Sequence, residues 1–297
     1  MMNWLKIIAT LTMLSFFSNA NAQGYCNDEG VAVEDADGVI TLTGNQNDAD
    51  CAFAPDEYTI KIYKMALCTA APTRPTTSET YDVSSCVDVI SSPDGQDVNL
   101  AAGSEMTLSD VTRPANGTYS YGYILMANTF GIKAKKQFTN TMHTYDSGAS
   151  GNYCWTKDAA ADSSDSEGAW TSPAPYVECG GAGGTAGTYT ETLDAFDTDE
   201  YITGPISVLG GDITADLITD ANGLVVTATQ TADRLFAIQT FIPIEPVVIA
   251  PSSTEFTVSF GVNQAASLWY FESPIGSSEY QVYAIGSGPF STYMSAN

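Results

Sequence analysis

Tyr119-Ser120-Tyr121-Gly122-Tyr123-Ile124-Leu125 puts Tyr119, Tyr121, Tyr123 and Leu125 on one side of a two-residue period and Ser120, Gly122 and Ile124 on the other. Successive side chains of a β-strand point to opposite faces of the pleat, so this alternation predicts a half-buried strand. The pattern recurs in Tyr58-Ile60-Ile62 against Thr59 and Lys61, and in Phe130-Ile132-Ala134. In the second half it returns as Leu224-Val226-Ala228, Phe236-Ile238-Thr240-Ile242, Phe256-Val258-Phe260-Val262 and Tyr280-Val282-Ala284. Turn signals divide these runs at Asp37-Gly38, Pro93-Asp94-Gly95, Asn116-Gly117, Asn222-Gly223 and Pro274-Ile275-Gly276. No segment beyond the N-terminal apolar run sustains a helical stripe. The expected fold is all-β, as two antiparallel β-sandwich or jelly-roll-like domains of which the first is disulfide-rich.

The N-terminus carries Lys6, an apolar stretch from Ile7 to Phe17 and the small-residue pattern Ala20-Asn21-Ala22. These are the three parts of an export signal in the right order, so residues 1–22 read as a signal peptide and the mature chain as beginning at Gln23. The apolar run is short of the roughly 20 residues a membrane helix needs. The expectation is a secreted or cell-surface protein with no direct membrane span.

All six cysteines, Cys26, Cys51, Cys68, Cys86, Cys154 and Cys179, lie after residue 22. An even count in an exported chain reads as disulfides, and the paired short spacings of a zinc site do not occur. Neighbour pairing, Cys26 with Cys51, Cys68 with Cys86 and Cys154 with Cys179, closes one polar loop per bridge between stranded segments.

Charge excludes some partners. Ten Lys and Arg stand against 35 Asp and Glu, a net charge of −25, and after Lys157 only Arg234 is basic. Nucleic acid and anionic membranes both require a basic footprint and are disfavoured. Disorder is disfavoured too, because 44% of the residues are hydrophobic.

The run Gly180-Gly181-Ala182-Gly183-Gly184-Thr185-Ala186-Gly187 reads as a Gly-rich linker or loop. It divides a disulfide-bonded β domain, residues 23–179, from a cysteine-free β domain, residues 188–297; a long loop inside one larger sandwich is the competing reading. The segments 69–85 and 157–175 read as surface loops.

Motifs for chemistry are sparse. His143 is the only histidine, and its surroundings lack a nucleophile elbow, so no catalytic residue is assigned. Calcium is the one plausible ion, since alternating Asp in a loop can present several oxygens to one point; Asp197 with Asp199, then Asp35 with Asp37, are the candidates. Trp155, Trp170, Trp269 and Tyr270 are candidates for a glycan-stacking platform, with burial in the core as the simpler account. The expected function is a non-enzymatic structural or cell-surface protein, a subunit of an extracellular filament, sheath or surface layer assembled through β-strand contacts. Its expected partners are further copies of itself or other surface proteins. The segment before Cys26 and the run from Tyr280 to Met294 are the places expected to carry an exchanged strand. A glycan-binding or adhesive β-sandwich module, and a secreted carbohydrate-active enzyme, are the alternatives.

Overall fold

The computed structural model describes residues 5–8, 32–35, 37–42, 49–100, 105–106, 111–145, 148–162, 176–193, 202, 206–208, 211–219, 223–226, 234–243, 245–274, 276–288 and 290–297. Among these residues every regular element is a strand and no helix occurs, so no helix is long and apolar enough to cross a membrane. Strands are numbered in chain order.

The largest sheet runs β13 (Ala159–Asp162), β15 (Tyr189–Thr192), β10 (Thr129–Lys133), β5 (Glu57–Cys68), β9 (Tyr121–Ala127), β18 (Arg234–Pro243), β17 (Gly211–Thr219), β16 (Ile206–Val208), with β6 (Cys86–Asn99) paired to β5. Its spine is β5, the strand announced by Tyr58, Ile60 and Ile62, all fully buried. One edge of β5 takes β6, and the other is shared between β10 at Glu57 to Thr59 and β9 at Ile62 to Cys68.

A second sheet runs β14 (Val177–Gly180), β12 (Ser150–Thr156), β11 (Lys135–Thr144), β22 (Glu279–Ser287), β21 (Ala266–Glu272), β4 (Ala49–Phe53), with β3 (Val39–Leu42) on β11 and β2 (Ala32–Glu34) on β3. A third contains β23 (Ser291–Ala296), β20 (Phe256–Gly261), β1 (Leu5–Ile8) and β7 (Glu105–Met106) in that order. A two-stranded ribbon joins β19 (Val247–Ile249) to β8 (Gly117–Tyr119).

The all-β expectation holds, and its antiparallel detail is corrected. The sheets are mixed rather than antiparallel: β1 on β20, β11 on β22, β11 on β3 and β13 on β15 all pair parallel. Strands far apart in sequence return by long connections that leave direction open, whereas hairpins impose antiparallel pairing. All four sheets also draw strands from both sides of residues 180–187. A single buried cluster includes Ile60 and Phe138 from the first half and Val258 and Tyr280 from the second.

The Gly-rich run is a loop folded over Trp155. A β-carbon at Gly184 would stand 2.3 Å from the indole, and one at Gly187 would stand 2.4 Å from the Asp158 nitrogen. Lys135 Nζ donates to the carbonyls of Ala182 and Gly184, and Gly187 N donates to Thr156 O. Glycine is therefore required here by close approach, which composition cannot distinguish from flexibility.

The central strand β9 departs from its expected one-faced burial. Ile124 and Met126 enter the main core, while Tyr123 is also covered, at 4% exposure, in a second cluster with Ala66, Cys68 and Ile218. The segment 69–85, expected as a surface loop, provides that cover: Tyr81 stacks on Tyr123 at 6.0 Å and its hydroxyl meets Thr240 Oγ1. Arg74 on the same segment reaches the fully buried Asp216. Likewise, Pro93-Asp94-Gly95 forms no chain reversal. It lies within β6, where the register passes from Ile62 opposite Gln96 to Lys64 opposite Ser91, and Gly95 takes φ +72° in the resulting bulge.

Two of the expected disulfides are formed, Cys68–Cys86 and Cys154–Cys179. In each pair the cysteines are direct register partners, across β5 and β6 and across β12 and β14. The third expected bridge lies outside the described residues, as Cys26 and the Cys51 side chain do.

Candidate strand-docking site

β19 is a short edge element. Val247 and Ile249 point into the core at 2% and 1% exposure, while Val248 between them is 54% exposed. β23, at the C-terminal end of the chain, pairs antiparallel with β20 from Phe256 opposite Ala296 to Gly261 opposite Ser291. Among the described residues β23 is the terminal strand of its sheet. Buried Thr292 and Met294 alternate along it with the more accessible Tyr293 and the exposed Ser295.

Between these two strands runs a groove of about 340 Å³. Pro243, Pro246, Val247 and Val248 form one wall, Met294 and Ala296 contribute to the other, and Glu245 brings a single carboxylate. The two prolines lack N–H groups, so that wall offers mainly apolar contact and carbonyl oxygens. Burial pushes the Tyr293 phenol above its ordinary range, opposed by a hydrogen bond with Ser291. Ile242, next to Pro243, is a further exposed apolar side chain at 46%. The site has the features of a strand acceptor: a sheet edge, an apolar wall and little charge in an otherwise strongly acidic chain.

The residues singled out from sequence fall elsewhere. Asp35 Oδ1 accepts backbone N–H groups from Asp37 and Val39, both at 2.9 Å, so this carboxylate shapes the β2–β3 turn with Gly38 at φ +78°. The described residues contain no group of three His, Cys, Asp or Glu side chains placed to hold a metal, and Asp197 and Asp199 lie outside them. Two of the four aromatic candidates are covered: Trp155 is 7% exposed beneath the glycine loop and Tyr270 is fully buried. Trp269 is partly buried against the core, and Trp170 lies outside the described residues. Aromatics alternating along a strand serve the sheet's inner face first, which is why these rings are covered. His143, on β11, has Nε2 buried 3.8 Å from Glu279 Oε2 and without a hydrogen-bond partner.

The sequence had marked the run ending at Met294 as a place for strand exchange. It had not marked Pro243, Pro246 and Val248, whose one available signal was a pair of prolines breaking an apolar run. Compared with models of protein families, with curated proteins and with solved structures, the chain gives no match.

Proposed function

We propose that this chain is an exported, non-enzymatic structural or cell-surface protein, a subunit of an extracellular filament, sheath or surface layer whose copies associate through β-strand edges. The observation that carries this reading is the pairing of an edge strand, β23, with the groove it shares with β19, one wall of which is apolar. An edge strand offers main-chain donors and acceptors to another chain, and exposed Val248 beside it adds apolar contact. Cross-strand disulfides at Cys68–Cys86 and Cys154–Cys179 agree with an oxidising compartment.

Charge sets the conditions. The full chain carries −25 and is one unit more negative without Lys6, so copies repel at low ionic strength, and the repulsion weakens once the Debye length shrinks to about 10 Å or less. Association is therefore expected to switch on with salt. The purified protein, followed by electron microscopy and sedimentation across a salt series with and without calcium, should pass from dispersed particles to ordered polymers. Dispersed monomers in every condition would remove this reading.

A further inference from the structure

The sheet that ends in β23 continues past β20 through the N-terminal segment, which lies between β20 and the edge strand β7. Leu5–Ile8 runs parallel to β20 in the register Leu5 with Phe256, Lys6 with Thr257, Ile7 with Val258 and Ile8 with Ser259. It also pairs antiparallel with β7, Ile7 with Met106 and Ile8 with Glu105. These same residues belong to the leader that the sequence marks for removal after Ala22. The strand they cover belongs to the core, with Phe256 and Val258 at 0% exposure and Phe260 at 1%.

We propose that Leu5–Ile8 is an intramolecular cap on β20, and that its removal with the leader lets β23 of a second copy of this chain pair with β20, extending the sheet head to tail. The proposal rests on the self-assembly reading above and names both faces of the contact. Its occupant follows from a pairing the sequence already makes. β20 and β23 match antiparallel over six consecutive positions, with buried Val258 opposite buried Met294. A copy related by translation presents its β23 to the vacated side of β20 in that same antiparallel orientation, with the alternate backbone groups of both strands making the bonds.

The vacated β20 edge and the β23 edge are then the two sides of one sheet. A contact joining unlike edges does not close on itself and generates an open filament rather than a dimer. While the leader remains attached the edge stays occupied, which holds assembly back until export.

The test uses the full-length chain purified with its leader, the same chain cut after Ala22, and an uncut Ile7→Pro variant, since proline removes a ladder donor and disrupts the cap. Sedimentation and electron microscopy should show monomers for the uncut chain and filaments for the other two. Hydrogen exchange at those β20 amides that face Leu5–Ile8 should be slow in the uncut monomer, fast in the freshly cut monomer and slow again in the filament. A synthetic peptide of residues 3–10 added to the cut chain should stop growth, an arm that decides the matter if Ile7→Pro does not fold. An uncut chain that polymerises as readily as the cut one, or filaments in which those β20 amides exchange fast, would overturn the cap while leaving self-assembly standing. Absence of polymer in every arm would overturn both.

Discussion

Phe241 lies directly opposite Gly122 in the β9–β18 ladder, and its ring occupies the space over the glycine: a β-carbon at Gly122 would stand 2.1 Å from Phe241 Cζ. The pair joins the first half of the chain to the second in the middle of the largest sheet. Glycine weakens a strand by exposing its backbone, and a cross-strand aromatic offsets that cost by covering it. Gly122→Ala should therefore destabilise through overpacking by about 1–3 kcal/mol. Phe241→Ala, emptying a site that is 2% exposed, should cost about 3–5 kcal/mol. Denaturant unfolding of both variants and of the double variant measures the coupling, and independent, additive effects would show that the ring does not depend on the glycine.

Arg74 and Asp216 are a second long-range tie. Nη2 of Arg74 donates to Asp216 Oδ1 at 2.7 Å and to the Ala215 carbonyl at 2.9 Å, while Nε lies 3.0 and 3.1 Å from the two carboxylate oxygens. Arg74→Ala strands a carboxylate that has no exposure of its own, and should cost about 3 kcal/mol. Burial raises the Asp216 carboxyl above 3.8 although Arg74 pulls the other way. The folded state thus holds this proton more tightly than the unfolded chain does, and the Asp216 contribution to stability falls as pH rises from 3.8 through the raised value. Asp216→Asn should flatten that part of the pH profile, as read by urea unfolding at closely spaced pH.

Alkaline titration should single out the cover of the second cluster. Burial pushes the Tyr81 phenol up to about 12, its hydrogen bond with Thr240 opposing, and moves the Tyr123 phenol in the same direction. Tyr81 keeps its proton longer when folded than when unfolded, so stability should fall as pH climbs from 10 towards about 12. Ultraviolet difference titration of wild type and Tyr81→Phe checks this; a component lost near 10 rather than near 12 would place Tyr81 in water.

Removing the Cys68–Cys86 bridge as the double alanine variant should cost about 3 kcal/mol, the chain-entropy value for a loop of comparable length. Peptide mapping without reduction should recover Cys68 with Cys86, Cys154 with Cys179 and, by the same neighbour rule, Cys26 with Cys51. A free thiol at Cys26 would break the rule.

For the docking groove, Val248→Lys combined with Ser295→Lys places charge on two exposed positions at an edge. The melting temperature should stay within a few degrees of wild type, and salt-induced polymer should be lost. Polymer formed at wild-type yield would move the contact to another edge.

Sequence alone determined what local chemistry controls. A two-residue apolar period marks strands such as β5, β10, β20 and β22, because the pleat imposes that period wherever one face is buried. The two described disulfides followed their nearest neighbours because each closes a local excursion between adjacent strands. Tertiary structure decided which strands meet, in which direction and under what cover. Gly184 resembles linker until Trp155 lies against it, Tyr270 resembles a platform until the sheet encloses it, and β23 becomes the edge proposed for docking only because β20 lies on one side of it and β19 faces it across a groove. Alternation says that a residue has an inside and an outside; only the packed arrangement of distant segments says what occupies each.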